Sequence, residues 1–144
     1  MGFVSAIGSG FKNCFKFTGR ASRSEFWWFY LFFVLTLVGG GLLIAVLGGI
    51  LTAASGSSTT AANISGSIMF GFFGLYLLAM FFPMLSLICR RLHDSDKSAF
   101  LVFLYLIPFG GLILFVFYCL PGTTGRNPHG DDPLAPQTTI ASVF

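Results

Sequence analysis

The sequence predicts an all-α membrane protein built as a single domain over residues 1–133, and three observations support this. Charged residues make up 9% of the 144 residues and 55% are hydrophobic, whereas soluble domains carry about 25% charged residues. Residues 26–89 contain no charged side chain. Three apolar stretches reach the length of about 20 residues that a spanning helix needs. Helices are expected because unpaired strand edges find no water partner at membrane depth.

An amphipathic helix lying in the membrane interface is expected first, over residues 3–17. A helical periodicity of about 100° per residue gathers the apolar side chains in one sector, namely Phe3, Val4, Ile7, Phe11, Cys14 and Phe15. Lys12 and Lys16 fall on the opposite face, where they would meet anionic headgroups. Gly8 and Gly10 weaken this helix, and a flexible segment is the alternative.

The stretch SRSE at residues 22–25 predicts where the first spanning helix begins. Ser22 fits the N-cap and Glu25 the third helical position of a capping box. A carboxylate at that position also suits the positive end of the helix dipole, so Glu25 has a structural explanation. The aromatic residues that follow are typical of a membrane interface, namely Trp27, Trp28 and Tyr30.

Three spanning helices are expected, over about residues 26–51, 68–89 and 99–120. The first is longer than the apolar core of a signal peptide, about 7–15 residues, and is expected to be retained. The uncharged linker TAASGSSTTAANISGS separates the first two spans, and Pro83 predicts a kink in the second. The third is interrupted by IPFGG at its middle, so a kinked full span and a re-entrant hairpin of two short halves both fit. The interrupting residues are Pro108, Gly110 and Gly111.

The distribution of basic residues predicts the orientation of the chain. In the three-span arrangement, Arg126 alone lies on one side, and the other side holds Lys12, Lys16, Arg20, Arg23, Arg90, Arg91 and Lys97. The N-terminus is then cytoplasmic and the C-terminus lies outside. A re-entrant third segment would instead return the C-terminal residues to the cytoplasm. Residues 134–144 are expected to form a flexible tail.

Small residues recur at four-residue steps in the first span, at Gly41, Ala45, Gly49 and Ala53. Such a stripe lets two membrane helices approach closely. Packing within one chain and packing between copies are both open at this point. Because three helices cannot enclose a sizeable path, an oligomeric small channel or transporter subunit is the alternative function that self-association would allow.

The densest group of polar residues is RRLHDSDK, which begins at Arg90. Arg90 and Arg91 could bind lipid headgroups or another anionic ligand, and His93 with Asp94 could transfer a proton. In the structural alternative the two arginines hold the end of the second span at the cytoplasmic face. An aspartate or serine of residues 94–96 then caps the third.

No metal site, cofactor or disulfide is expected. The two histidines, His93 and His129, lie on opposite sides of the membrane in the three-span arrangement, and a metal site needs more ligands. The three cysteines have no metal-binding spacing and are expected to pack as small apolar residues. They are Cys14, Cys89 and Cys119.

The segment PGTTGRNPHGDDP is rich in turn residues. Oxygen ligands from Asn127, Asp131 and Asp132 for a divalent cation are the alternative explanation. The sequence has no phosphate-binding glycine loop and no nucleophile elbow, and no ionisable side chain lies deep in an expected span, where proton relays keep one. We therefore expect a non-enzymatic protein that binds no nucleic acid. Its expected partners are anionic membrane lipids and either further copies of itself or another membrane protein.

Three stretches together resemble a known family: FTGRASRSEFWWF, RRLHDSDKSAF and PGTTGRNPHGDDP. They are similar to the small bacterial inner-membrane proteins catalogued as domain of unknown function 805. Those proteins share a Gly-Arg-x-Ser-Arg-x-Glu-aromatic segment, an Arg-Arg-Leu-His-Asp loop and a Pro-Gly tail ending in Asn-x-x-Gly-x-Asp-Pro. The chain departs from the common pattern at Asp96, Ala99, Phe100 and His129.

The resemblance implies a location in the bacterial inner membrane and an architecture, and it implies no activity. Carried over residue by residue, it assigns a cytoplasmic polar cluster of Arg20, Ser22, Arg23, Glu25, Arg90, Arg91, His93 and Asp94. It also assigns a tail motif of Asn127, Gly130, Asp132 and Pro133. We expect the cluster to organise the helices or to bind lipid or a partner.

Overall fold

The structure, a computed structural model, describes residues 1–55 and 58–135. Its elements are α1 (Phe3–Lys12), α2 (Arg23–Ser55), α3 (Ser58–Asp94), a 3₁₀ helix (Ala99–Leu106) and α4 (Gly110–Cys119). Within the described ranges there is no β-strand, only an isolated bridge between Asn127 and Gly130. Of the tail predicted over residues 134–144, residues 136–144 lie outside the described part of the chain.

Helices α2 and α3 form an antiparallel pair, and each is long and apolar enough to cross a membrane. Only 6% of the most apolar part of α2 is buried, so this helix is not the core of a soluble domain. The two backbones approach closely where α2 has glycine. A Cβ atom on Gly40 would overlap the Phe72 ring, and one on Gly48 would overlap the side chain of Ser65.

Both long helices extend beyond the predicted spans, into the predicted linker. Helix α2 continues to Ser55 and α3 begins at Ser58. The serine and threonine hydroxyls of this region find acceptors within the helix, because they bond to carbonyls in the preceding turn. These bonds run from Thr52 to Gly48, from Ser65 to Ala62 and from Ser67 to Asn63.

Residues 99–120 form a hairpin, and the expected third full-length span is not confirmed. The chain descends as the 3₁₀ helix, turns at Phe109, which has a left-handed backbone (φ 65°), and returns as α4. Ten residues of α4 rise only about 15 Å, half the thickness of about 30 Å that a span must cover. The two alternatives raised by the IPFGG interruption are thus decided in favour of two short halves.

The hairpin returns the chain to the end of α3 from which it left. Arg91 of α3 donates hydrogen bonds to the carbonyls of Tyr118 and Leu120, at the end of α4. The backbone N–H of Thr123 donates to the Asp94 carbonyl at 2.8 Å. Residues 121–135 therefore lie at the same end of the helix pair as the N-terminal segment. The expected placement of the C-terminal segment on the opposite side from the N-terminus is wrong.

Helix α1 packs against that same end. It stops at Lys12, five residues short of the predicted end at residue 17. It contacts α2 through Gly10 and through Phe11, whose ring lies 5.6 Å from that of Phe29. A Cβ atom on Gly10 would overlap the Phe29 ring, so this glycine, expected only to weaken the helix, also lets α1 pack against α2.

A small core underlies this end of the molecule. It contains buried residues from α2, α3 and α4 and from the segment before α2, namely Ala21, Phe26, Phe29, Leu87, Ile88, Leu92, Leu114 and Tyr118. Its centre includes the packing of the Phe26 and Tyr118 rings, whose centroids are 4.6 Å apart. The core thus joins the hairpin to the two long helices directly beneath the charged residues.

Replacing Gly110 by Ala is expected to destabilise the hairpin by about 1–3 kcal/mol, the usual cost of overpacking. A Cβ atom there would overlap the carbonyl oxygen of Leu104. The matched control is Gly111→Ala, whose Cβ would meet the Tyr105 ring at an ordinary 3.6 Å. Thermal unfolding of the two variants in detergent measures the difference, and equal melting temperatures would contradict the hairpin geometry.

Candidate functional site

All charged residues of the chain gather at one end of the helix pair, where α2 begins and α3 ends. The eight basic and five acidic residues belong to α1 and the loop after it, the first turn of α2, the last turns of α3, the loop at residues 95–98, and residues 121–135. The opposite end, where α2 passes into α3, has none. The candidate site is therefore the polar cluster at the charged end.

Seven of the eight residues predicted for the polar cluster are buried there. Their exposed fractions are 9% or less, and they are Arg20, Ser22, Glu25, Arg90, Arg91, His93 and Asp94. The eighth, Arg23, is exposed at the first position of α2. Buried charges are costly unless they are paired and hydrogen-bonded, so the partners of each charged group define what the cluster does.

The Asp94 carboxylate is the centre of the cluster, because two arginines bind its two oxygens. The Nε of Arg20 donates to Oδ1 at 2.9 Å, and Nη1 of Arg91 donates to Oδ2. All three side chains are at most 5% exposed. Gly122 lies against the same carboxylate, and a Cβ atom on it would overlap the carboxylate oxygens. The position must be glycine for the chain to pass this close.

The remaining donors of these two arginines bind backbone carbonyls of the returning chain. Arg20 donates to the carbonyls of Thr123 and Gly125, the latter at 2.5 Å. Arg91 donates to those of Tyr118, at 3.2 Å, and Leu120. A guanidinium carries five N–H donors in a fixed planar fork, which suits it to bridge a carboxylate and several carbonyls at once. Together the two arginines tie residues 118–125 to the end of α3.

A second ion pair joins the other side of the cluster. Nη1 of Arg90 donates to Oε1 of Glu25 at 2.9 Å, and the Ser9 hydroxyl of α1 donates to the same oxygen at 2.8 Å. Ser22 accepts the backbone N–H of Glu25 at 3.3 Å, as an N-cap does. The Glu25 carboxylate is directed to Arg90 and Ser9. Nε and Nη2 of Arg90 are buried and make no hydrogen bond within the described residues.

The two histidines meet, so the expectation that they lie on opposite sides is wrong. The His93 and His129 rings stack with centroids 4.0 Å apart and planes 3° from parallel. Nδ1 of His93 lies 3.3 Å from the Gly19 carbonyl. Asn127 donates to the His93 carbonyl at 2.9 Å. The described residues contain no group of three or more metal-ligating side chains.

The tail motif folds as a tight turn against the cluster. Asn127 and Gly130 exchange backbone hydrogen bonds of 3.1 Å, and Gly130 has a φ of 139° that disfavours any other residue. Hydrogen bonds from the backbone N–H groups of Leu134 and Gly125 lower the pKa of the Asp132 carboxyl, and the charge of Arg20 lowers it further. Pro133 follows in the next turn. The oxygens of Asp132 are thus engaged by backbone donors.

Sequence reasoning missed Ser9, Gly122 and Thr123 as parts of the cluster. Ser9 contacts Glu25 across 16 residues, and Thr123 contacts Arg20 across 103. In the sequence, Gly122 is one of several residues of a turn-rich segment. Nothing in the sequence distinguishes a turn glycine from one that lies against a buried carboxylate, because that requires knowing that the chain returns.

The predicted stripe of small residues lies only partly against the second long helix. Gly41 lies near Phe73 of α3, while Ala45, Gly49 and Ala53 are exposed. The closest approaches use Gly40 and Gly48, one position away on each occasion. Self-association through the stripe stays a prediction, and so does the channel or transporter that depends on it.

Two long apolar helices with their charges gathered in a buried cluster at one end define a helical membrane protein. The chain belongs to the family described as "Protein of unknown function (DUF805)", which matches residues 14–131. The resemblance noted in the three sequence stretches is thereby confirmed.

Two relatives are named as inner membrane proteins. The chain is 40% identical over 123 residues to "Inner membrane protein YhaI" of Escherichia coli (strain K12). The matched region covers 85% of this chain and 89% of that protein. It is 39% identical over 123 residues to "Inner membrane protein YhaH" of the same strain, with 85% and 90% covered. No solved structure matches the chain.

Replacing Arg91 by Ala is expected to lower the free energy of unfolding by about 3–5 kcal/mol, the usual cost of leaving a buried charge without its partner. Thermal unfolding in detergent measures this change. Arg126→Ala is the control, since Arg126 and Asp131 lie 3.7 Å apart with side chains 84% and 88% exposed, and such pairs contribute little. A melting temperature of Arg91→Ala equal to that of the control would argue against the cluster as described.

Proposed function

We propose that this protein is a multi-pass protein of the bacterial inner membrane that is not an enzyme, and that its buried polar cluster acts as an internal clamp. In this proposal the cluster holds α1, the α2–α3 pair, the hairpin and residues 121–135 together at one membrane face. One observation carries the proposal: Arg20 and Arg91 share the Asp94 carboxylate and give their other donors to carbonyls of residues 118–125.

Membrane location is supported by composition and by kinship. Helices α2 and α3 have the length and hydropathy of spanning segments, and the related YhaI and YhaH are named inner membrane proteins. All eight basic residues lie at the charged end, and positively charged segments remain in the cytoplasm. The charged end is therefore the cytoplasmic one in this proposal, which places both the N-terminus and residues 121–135 inside.

A clamp fits the way in which the cluster uses its polar atoms. Both Asp94 oxygens bind arginine, and Oε1 of Glu25 binds Arg90 and Ser9. Catalysis of proton transfer by His93 and Asp94 would require the carboxylate to face the imidazole. In the observed arrangement His93 faces Gly19 and His129. The groups that suggested chemistry in the sequence are thus committed to holding segments together.

Buried and exposed cations have separate roles in this proposal. Arg20, Arg90 and Arg91 are buried in the clamp. The basic residues that remain exposed at the same end are Lys12, Lys16, Arg23, Lys97 and Arg126. Exposed lysines and arginines near a membrane surface are each attracted to anionic lipid by about 1 kcal/mol. The exposed set would hold the charged end against the inner leaflet.

The topology can be measured by cysteine labelling in whole cells. The background lacks Cys14, Cys89 and Cys119. In it, Thr124→Cys is expected to react with a membrane-impermeant thiol reagent only after the membrane is permeabilised, and the same is expected of a cysteine placed in α1. Ala54→Cys, at the uncharged end of α2, is expected to react with an impermeant reagent from outside. Labelling of Thr124→Cys and Ala54→Cys from the same side would overturn the proposed topology.

The clamp can be tested by proteolysis at Arg126, which lies in the segment that Arg20 holds. Arg20→Ala is expected to speed tryptic cleavage after Arg126 by about tenfold or more, because cleavage of a locally opened segment follows the population of the open form. Lys12→Ala is the control, since it removes an exposed cation from the same end. Equal cleavage rates, followed by intact-mass spectrometry in detergent, would count against a clamp.

A further inference from the structure

A cleft separates part of the hairpin from the helix pair. Its inner part is a cavity of about 430 Å³, bounded by Trp27 and Tyr30 of α2 and by Gly111 and Phe115 of α4. Its outer part, about 560 Å³, lies between α3 and the 3₁₀ helix. Phe33, Met84, Ile88 and Tyr105 line both parts. The two cavities are therefore adjacent and share these four side chains, and we describe them together as one cleft along the 3₁₀ helix.

The walls of the cleft are almost entirely apolar and its floor is recessed. Phe26, Ile88 and Tyr118, at its inner end, are 2%, 8% and 4% exposed. The polar side-chain groups are tyrosine hydroxyls and the indole N–H of Trp27, and the hydroxyls of Tyr105 and Tyr118 lie 3.4 Å apart. Cavities of about 300–1,000 Å³ lined by apolar side chains with a few polar groups are the usual form of small-molecule sites. An elongated apolar ligand with few polar atoms fits such a lining.

The surroundings of the cleft indicate which molecule reaches it. The outer surface of the hairpin exposes large apolar side chains, with Leu106 81%, Phe109 80% and Leu112 65% exposed. Under the proposed membrane location this surface faces lipid, so the cleft opens to acyl chains. The inner part lies directly beneath the charged end, whose exposed basic residues complement an anionic headgroup. The chain as a whole carries a net charge of +3.

We propose that this cleft binds one acyl chain of an anionic phospholipid, whose headgroup lies at the charged end of the protein. The inference rests on the proposed membrane location and adds a specific lipid site to it. Tyr105 and Tyr118 supply hydroxyls within the cleft, and Met84, with its flexible unbranched side chain, adapts to the shape of a chain. The hairpin and the helix pair then share the bound lipid as part of their packing.

The two tryptophans provide a direct test, because they differ in position. Trp27 lines the cleft, with its ring 5.7 Å from that of Phe115. Trp28 is 40% exposed and packs against Phe3. The variant Trp28→Phe therefore reports on the cleft, and Trp27→Phe reports on the outer surface. Each purified variant is titrated in detergent with phosphatidylglycerol that carries bromine on its acyl chains, which quenches nearby tryptophan.

We expect Trp27 fluorescence to fall and to saturate at one lipid per protein, while Trp28 shows only the gradual quenching of lipid that joins the micelle. Equal, non-saturating curves for the two tryptophans would overturn the site. Equally tight binding of brominated phosphatidylcholine would overturn the assignment of an anionic headgroup.

A matched pair of substitutions tests the cleft itself. Gly111→Phe in the Trp28→Phe background is expected to weaken binding by about tenfold or more, because the new side chain occupies the inner cavity. Its Cβ atom meets only the Tyr105 ring at 3.6 and 3.7 Å, so the backbone can stay in place. Gly74→Phe is the control, since a Cβ atom there meets nothing within 4 Å. Gly111→Leu is a second, smaller variant in case the phenylalanine prevents folding.

Binding of wild-type strength in both Gly111 variants would overturn the proposal. The proposal would also be overturned if the Trp28→Phe parent bound no lipid and Gly111→Phe changed the oligomeric state. A second copy of the chain would then be the occupant of the cleft. Failure of the membrane location is a separate outcome, because the protein would appear in the soluble fraction before any lipid is added. A failed lipid site leaves the protein detergent-dependent and its topology unchanged.

Discussion

The sharing of the Asp94 carboxylate between Arg20 and Arg91 determines how the chain is arranged at its charged end. Taking a charge out of water costs several kcal/mol per ion, and the cost is recovered only when good geometry and further hydrogen bonds satisfy the remaining donors. Two guanidiniums on one carboxylate leave an excess of positive charge and several free N–H groups. Four backbone carbonyls, of Tyr118, Leu120, Thr123 and Gly125, accept hydrogen bonds from those groups. The chain after α3 must therefore return to the end of α3, and a hairpin is the short way back.

The use of arginine in the buried cluster and of both lysine and arginine on its exposed rim follows from the same requirement. A lysine ammonium offers a compact point charge, whereas the planar fork of arginine reaches a carboxylate and carbonyls in fixed directions. The carbonyls of Tyr118 and Leu120 also belong to the end of α4, where the helix dipole is negative and a cation is favourable. Arg91 thus neutralises a carboxylate and caps a helix at once. The exposed cations, by contrast, have no such fixed set of partners to satisfy, and either lysine or arginine serves there.

The sequence predicted the long apolar helices well and their ends poorly, for a physical reason. Hydropathy reports which residues avoid water, so it locates the middle of α2 and α3. It says little about Ser, Thr, Ala and Gly at residues 52–67, which are compatible with either a loop or a helix that bonds its own hydroxyls. The interruption at Pro108 likewise allows both a kinked span and a hairpin. The contacts of Arg20 and Arg91 with residues 118–125 decide between these, and they join residues up to 105 positions apart.

The candidate site was predicted in its members but not in its connections. The residues of the polar cluster were recognised because charges are rare in this chain and therefore conspicuous. Their partners Ser9, Gly122 and Thr123 are ordinary in the sequence and acquire a role only when the chain returns. The glycines of α2 are a similar case. Gly40, Gly41, Gly48 and Gly49 are equally small in the sequence, and the rings of Phe72 and Phe73 and the side chain of Ser65 show which of them lie against α3.

The uncharged end of the helix pair has a consequence for how the protein enters the membrane. A helical hairpin inserts by moving the connection between its two helices across the bilayer, and here residues 26–89 contain no Asp, Glu, Lys, Arg or His. Carrying one elementary charge across costs or gains about 2.3 kcal/mol per 100 mV of membrane potential. For this connection that energy is zero. Under the proposed topology, translocation of α2 and α3 proceeds equally well in energised and de-energised cells, while the charged end never leaves the side on which it was made.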